Sequence, residues 1–128
     1  MVVKSVYHVV VLDVVNKLNN MNFTEYQERA VSTAVYKSKY KVMYPSLGLA
    51  GEAGEVADKV KKIYRDFDGE FSSDKRIEIA KEIGDVLWYC ATLANDLEFD
   101  LDLIAQMNID KLSSRKDRDV LHGSGDNR

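Results

Sequence analysis

The chain has 128 residues, 45% hydrophobic and 30% charged, the balance of one soluble globular domain long enough to bury a core without staples. A formal net charge of -3 and a pI near 5.4 argue against a nucleic-acid or membrane binder, so an anionic ligand must be met by local cations or a metal. The single cysteine, Cys90, excludes an internal disulfide; it lies in an apolar run and reads as a buried small hydrophobe in a reducing, cytoplasmic setting.

The first segment carries apolar residues at Val3, Val6, Tyr7, Val10, Val11, Val14, Val15 and Leu18, which is helical spacing, although its β-branched content also suits a strand. Lys4, His8 and Asp13 interrupt it and it lacks a small-residue cleavage site, so it does not read as a signal peptide. No apolar run is long enough to span a membrane. Thr24 with Gln27 has the form of a capping box, which predicts a helix from there towards Lys37 or so. Pro45 and Ser46 open a second helix that ends near Phe67-Asp68-Gly69. Gly48, Gly51 and Gly54 recur on it at three-residue spacing, which suggests the close approach of another backbone or a ligand. Ser73 or Asp74 caps a third helix with an apolar stripe from Ile77 to Leu97, and Asp100 a fourth. From about Lys116 the chain turns polar. The expected fold is all-α, a four-helix-bundle-like core.

Two acidic motifs dominate this pattern, Glu52-Ala53-Gly54-Glu55 and Glu82-Ile83-Gly84-Asp85. Residues three apart share a helix face, so each motif aims two carboxylates in one direction, and two such helices packed together gather all four. Such a cluster in a buried region demands a cation, and all-oxygen ligation favours magnesium or manganese over zinc or iron. A di-iron bundle would need a Glu-x-x-His pair, which the chain lacks. Lys59, Lys62, Lys75 and Lys81 read as the solvated positions of the same helices. On the fourth helix, Asn108, Lys111 and Arg115 share one face, a cradle for phosphate oxygens or, alternatively, a helix end whose basic residues offset the macrodipole.

The stretches from Gly48 to Glu55, from Glu82 to Tyr89 and from Asn108 to Arg115 closely resemble MazG-like nucleotide pyrophosphohydrolases, all-α enzymes with a Glu-x-x-Glu and a Glu-x-x-Asp motif. The closing His122-Gly123-Ser124-Gly125-Asp126-Asn127-Arg128 looks like the small stand-alone and phage-type members. The resemblance implies a catalytic domain over residues 23–116, with residues 1–22 an N-terminal extension and 117–128 a polar tail. It also implies Mg²⁺-dependent hydrolysis of nucleoside triphosphates, often deoxy forms, to the monophosphate and pyrophosphate, with Mn²⁺ a possible substitute and a lean to purine substrates such as dGTP. Glu52, Glu55, Glu82 and Asp85 would hold the metal, Glu52 or Glu55 would act as general base, and Asn108, Lys111 and Arg115 would hold the phosphates. Trp88, three residues past Asp85, is either a base-stacking ring or a core tryptophan. A homo-oligomer, dimer or tetramer, is expected, in which the basic face of one subunit serves the metals of another. The alternatives are a dUTP, dCTP or modified-nucleotide diphosphatase, or a non-catalytic helical interaction module.

Overall fold

The structure, a computed structural model, describes residues 21–127, so the helix expected in the valine-rich first segment lies outside the described residues. Within them the chain forms helix α1 (Phe23–Ser32), a 3-10 turn (Ser38–Tyr40), and helices α2 (Met43–Phe67), α3 (Ser73–Asp96) and α4 (Leu101–Asp117). No strand occurs among the described residues, and the all-α expectation holds.

Asn22, not Thr24, caps α1: its side-chain oxygen accepts the Glu25 N–H at 2.8 Å. The capping box does not form because both of its side chains are engaged elsewhere. The Thr24 hydroxyl donates to Asp102 of α4 at 3.0 Å. Gln27 is buried and donates to the carbonyls of Ala91 at 3.2 Å and Phe99 at 3.0 Å, while its own oxygen accepts the Leu101 N–H at 3.0 Å. One amide thus satisfies the backbone where α3 turns into α4. Helix α1 stops at Ser32, short of the expected reach, where the Thr33 hydroxyl turns back onto the Ala30 carbonyl at 2.7 Å.

Helix α2 ends where Asp68 and Gly69 take left-handed conformations, at φ 50 and 78, and the Gly69 N–H closes onto the Ile63 carbonyl at 3.2 Å. Ser72 caps α3 by accepting the Lys75 N–H at 3.3 Å, one position before the expected cap. The short turn makes α2 and α3 an antiparallel hairpin: Gly48 meets Tyr89, Lys59 meets Glu82, and Phe67 meets Lys75. Helix α1 packs on α3, and α4 packs on α1 and α3. The core is small-residue packing, Ala30, Ala91 and Ala94 with Leu101, ringed by Tyr26, Leu87, Trp88 and Cys90. Burial pushes the Cys90 thiol up, as its apolar neighbourhood implies.

Candidate active site

Glycine-flanked Glu52 on α2 and the Glu82–Asp85 pair on α3 fall opposite each other in the hairpin. One carboxylate oxygen from each of Glu52, Glu82 and Asp85 lies within 4.8 Å of the others. Glu55, one turn along α2 from Glu52, stands outside this group of three and is exposed. The cluster is also less buried than its apolar flanks suggest: Glu52 and Glu82 are partly covered, Asp85 is exposed, and Ile83 between the α3 acids is 54% exposed. Loss of hydration, then repulsion from Asp85, Glu82 and Glu55, raises the Glu52 carboxyl above the ordinary range. Lys59 reaches across from α2 and sets its Nζ 3.3 Å from Glu82 Oε1.

Aromatic rings border the cluster at the start of α2. Of the three spaced glycines, only Gly48 meets a close neighbour: a Cβ there would lie 2.1 Å from the Tyr89 ring, whereas Gly51 and Gly54 face open space. Tyr89 lies 6.3 Å from Tyr44, which stacks on Tyr36 at 4.8 Å between centroids. The entry into α2 is pinned by Asp96, whose Oδ2 accepts both the Tyr36 hydroxyl and the Val42 N–H at 2.9 Å. Val42 is held at φ 64, a costly conformation for a β-branched residue. Trp88 turns the other way. Its indole N–H donates to Thr33 at 2.8 Å and its ring packs against the core, so it ties α3 to the end of α1.

The residues expected to cradle phosphate are on α4, a helix that contributes nothing to the group of three carboxylates. Asn108 and Lys111 line a cavity of about 440 Å³ with Leu97, Phe99, Ile104 and Met107. Arg115 is only 5% exposed, because the polar tail folds back over it. Its Nη2 donates to the carbonyls of Gly125 at 3.2 Å and Asp126 at 3.0 Å, and lies 3.3 Å from the Asp126 carboxylate. Lys111 reaches the same carboxylate at 3.4 Å, and these two cations, Lys111 foremost, hold the Asp126 carboxyl below its usual range.

A family model for the MazG nucleotide pyrophosphohydrolase domain matches residues 45–119. The chain belongs to the MazG nucleotide pyrophosphohydrolase family. It is also 48% identical over 114 residues to the Gene 37 protein of Mycobacterium phage L5, across 84% of this chain and 100% of that protein. No solved structure matches it. The MazG match takes in both acidic motifs and the α4 face, and leaves α1 with its Gln27 bracket outside. MazG enzymes generally use a divalent metal, and the donor set suits one: close carboxylate oxygens with no sulfur or imidazole among them fit a hard cation. Lys59 and Tyr89 stand beside the acidic cluster without having been singled out for it by the sequence pattern. The spacing of Gly48 pointed to a close neighbour but could not say that it was Tyr89. No helix among the described residues is long and apolar enough to cross a membrane.

Proposed function

We propose that the chain hydrolyses deoxynucleoside or ribonucleoside triphosphates to the monophosphate and pyrophosphate with Mg²⁺, on the acidic face of the α2–α3 hairpin. The observation that carries this reading is the convergence of Glu52, Glu82 and Asp85 from the two motifs. A metal held there supplies the positive charge that lets water approach a polyanion, with Mn²⁺ a chemical equivalent. Glu55 stands beside the cluster rather than in it, which suits a carboxylate that orients the water and takes its proton; Glu52 is the other candidate. The water oxygen bonds to the α-phosphorus, the bond from that phosphorus to the bridging oxygen breaks, and pyrophosphate leaves with the electron pair.

Asn108, Lys111 and Arg115 belong to this account through a second copy of the chain. Helix α4 leaves Leu103, Met107 and Ile109 about half exposed, at 48%, 56% and 57%, which supports a homo-oligomer, dimer or tetramer, that covers them. In it the α4 amide and ammonium of one subunit meet the phosphates bound by another, and Arg115 joins them where its tail yields. The Trp88 indole N–H is engaged with Thr33, so stacking on a base would use only its ring face. For the base we favour a purine deoxynucleotide such as dGTP, on resemblance to phage-type members alone; a dUTP, dCTP or modified-nucleotide diphosphatase would use the same acids.

Glu55→Gln and Asp85→Asn test the reading. Each is expected to lose turnover by at least about a hundredfold while keeping its helical circular dichroism, since removing one charge from a repulsive group does not unfold it. Mg²⁺ should raise the Tm of the wild-type protein. Retained turnover in both variants would remove these acids from the chemistry, and a Tm indifferent to Mg²⁺ would favour a helical interaction module.

A further inference from the structure

Lys59, Lys62 and Lys75 have the sequence signature of solvated surface, yet the side chains of Lys59 and Lys75 are only 29% and 32% exposed, against 52% for Lys62. Of the three, Lys59 is the one whose ammonium pairs with a carboxylate of the facing helix, Glu82. It passes over Glu55, the carboxylate four residues earlier that a lone helix would offer as partner. Lys59 forms part of the wall of a trough of about 400 Å³ that runs between α2 and α3 from Glu55 towards Phe67, with Lys62 and Lys75 and the carboxylates of Asp58, Asp66 and Glu78 also lining it.

We infer that this trough is the subsite for the β- and γ-phosphates of the substrate, and hence for the departing pyrophosphate, with the Lys59 ammonium as first contact. The inference rests on the pyrophosphohydrolase reading and gives its substrate a direction. At 1.5 Å per residue, Lys59 lies about 10 Å beyond Glu52 along α2, a span that a lysine side chain and two phosphates bridge together. The opposite end of the cluster is lined by the Tyr36, Tyr44 and Tyr89 rings, a surface for the nucleoside rather than for a polyanion. Each ammonium of the trough rests on a carboxylate, Lys59 on Glu82, Lys62 on Asp58 and Lys75 on Glu78. A phosphate oxygen of higher charge can take over that contact. The same carboxylates repel a bare polyanion, so the ligand class is pyrophosphate as its divalent-cation complex.

Product inhibition separates this subsite from the rest of the site. The full chain, wild type and Lys59→Met, is assayed with its best triphosphate, adding either magnesium pyrophosphate or the matching nucleoside monophosphate. The pyrophosphate inhibition constant should rise roughly tenfold or more in Lys59→Met, with the monophosphate constant unchanged and Lys59→Arg restoring part of the loss. Mg²⁺ binding to the substrate-free variant, read by calorimetry, should persist, since Lys59 is a partner of Glu82 and not a ligand. Parallel weakening of both products, unchanged inhibition by pyrophosphate, or loss of Mg²⁺ binding would overturn the inference while leaving an active wild type and its function standing. A wild type that releases no pyrophosphate from any triphosphate would end the functional reading and this inference together. Should Lys59→Met fail to fold, Lys75→Gln is read against the same outcomes.

Discussion

Glu52 is surrounded by carboxylates that belong to both motifs, and loss of hydration, then their repulsion, raises its carboxyl above the ordinary range. That repulsion predicts opposite effects of one substitution. Without metal, Glu52→Gln should raise the Tm at neutral pH, because it removes a charge from the cluster; with Mg²⁺, the variant should lose the stabilisation that the wild type gains. A metal-free Tm that falls would make Glu52 a structural residue. Tyr36 shows the same physics with a different sign of use. Burial, then its hydrogen bond to Asp96, pushes its hydroxyl up from 10.0 to about 12. A group whose folded pKa is raised contributes stability that is complete below its unfolded value and is lost as the pH climbs through the folded one. Stability should therefore fall between pH 10 and about 12 as Tyr36 ionises against Asp96. Tyr36→Phe should remove that loss, at a cost of about 1 kcal/mol at neutral pH for the missing hydrogen bond. Denaturant melts at stepped alkaline pH would show it.

The elements were legible where the local chemistry had a single use. Asp68-Gly69 ends α2 as the sequence suggests; Asp100 stands before α4 as expected, but its side chain makes no capping hydrogen bond there. Legibility failed where a polar residue had two possible partners. Thr24 and Gln27 satisfy the rule for a capping box, but Gln27 sits 64 to 74 residues from the backbone groups it serves, and no local pattern encodes that reach. The acidic motifs were readable because three-residue spacing fixes a face; that Glu55 falls outside the close group depends on how two helices lie against each other. Lys59 was misread as solvated for the same reason, since its partner is on the facing helix. The three glycines of α2 allow a direct test of this contextual dependence. Gly48→Ala should destabilise the protein by about 1–3 kcal/mol through overpacking against Tyr89. Gly51→Ala, with nothing nearby to meet, should stabilise α2 by up to about 1 kcal/mol. Equal effects at the two positions would contradict the packing described here.

At the scale of the whole molecule, the acidic cluster and the α4 amide and cations are carried on different elements. The α2–α3 hairpin bears the carboxylates with Lys59, Lys62 and Lys75 along its trough, whereas α4 carries Asn108, Lys111 and Arg115. The proposed homo-oligomer would resolve this separation and cover the apolar residues of α4. Ile109→Asp should then shift sedimentation towards the monomer and reduce turnover together, leaving the helical content of each chain intact. A monomeric wild type of full activity would require the α4 residues to have another use.

Pyrophosphate release from a panel of ribo- and deoxynucleoside triphosphates, with Mg²⁺ and again with EDTA, tests the central claim most directly. Release that depends on the metal, with one base preferred and the monophosphate formed in equal amount, is the predicted result. Release unaffected by EDTA, or inorganic phosphate in place of pyrophosphate, would contradict a metal-dependent attack at the α-phosphorus on the Glu52, Glu82 and Asp85 face.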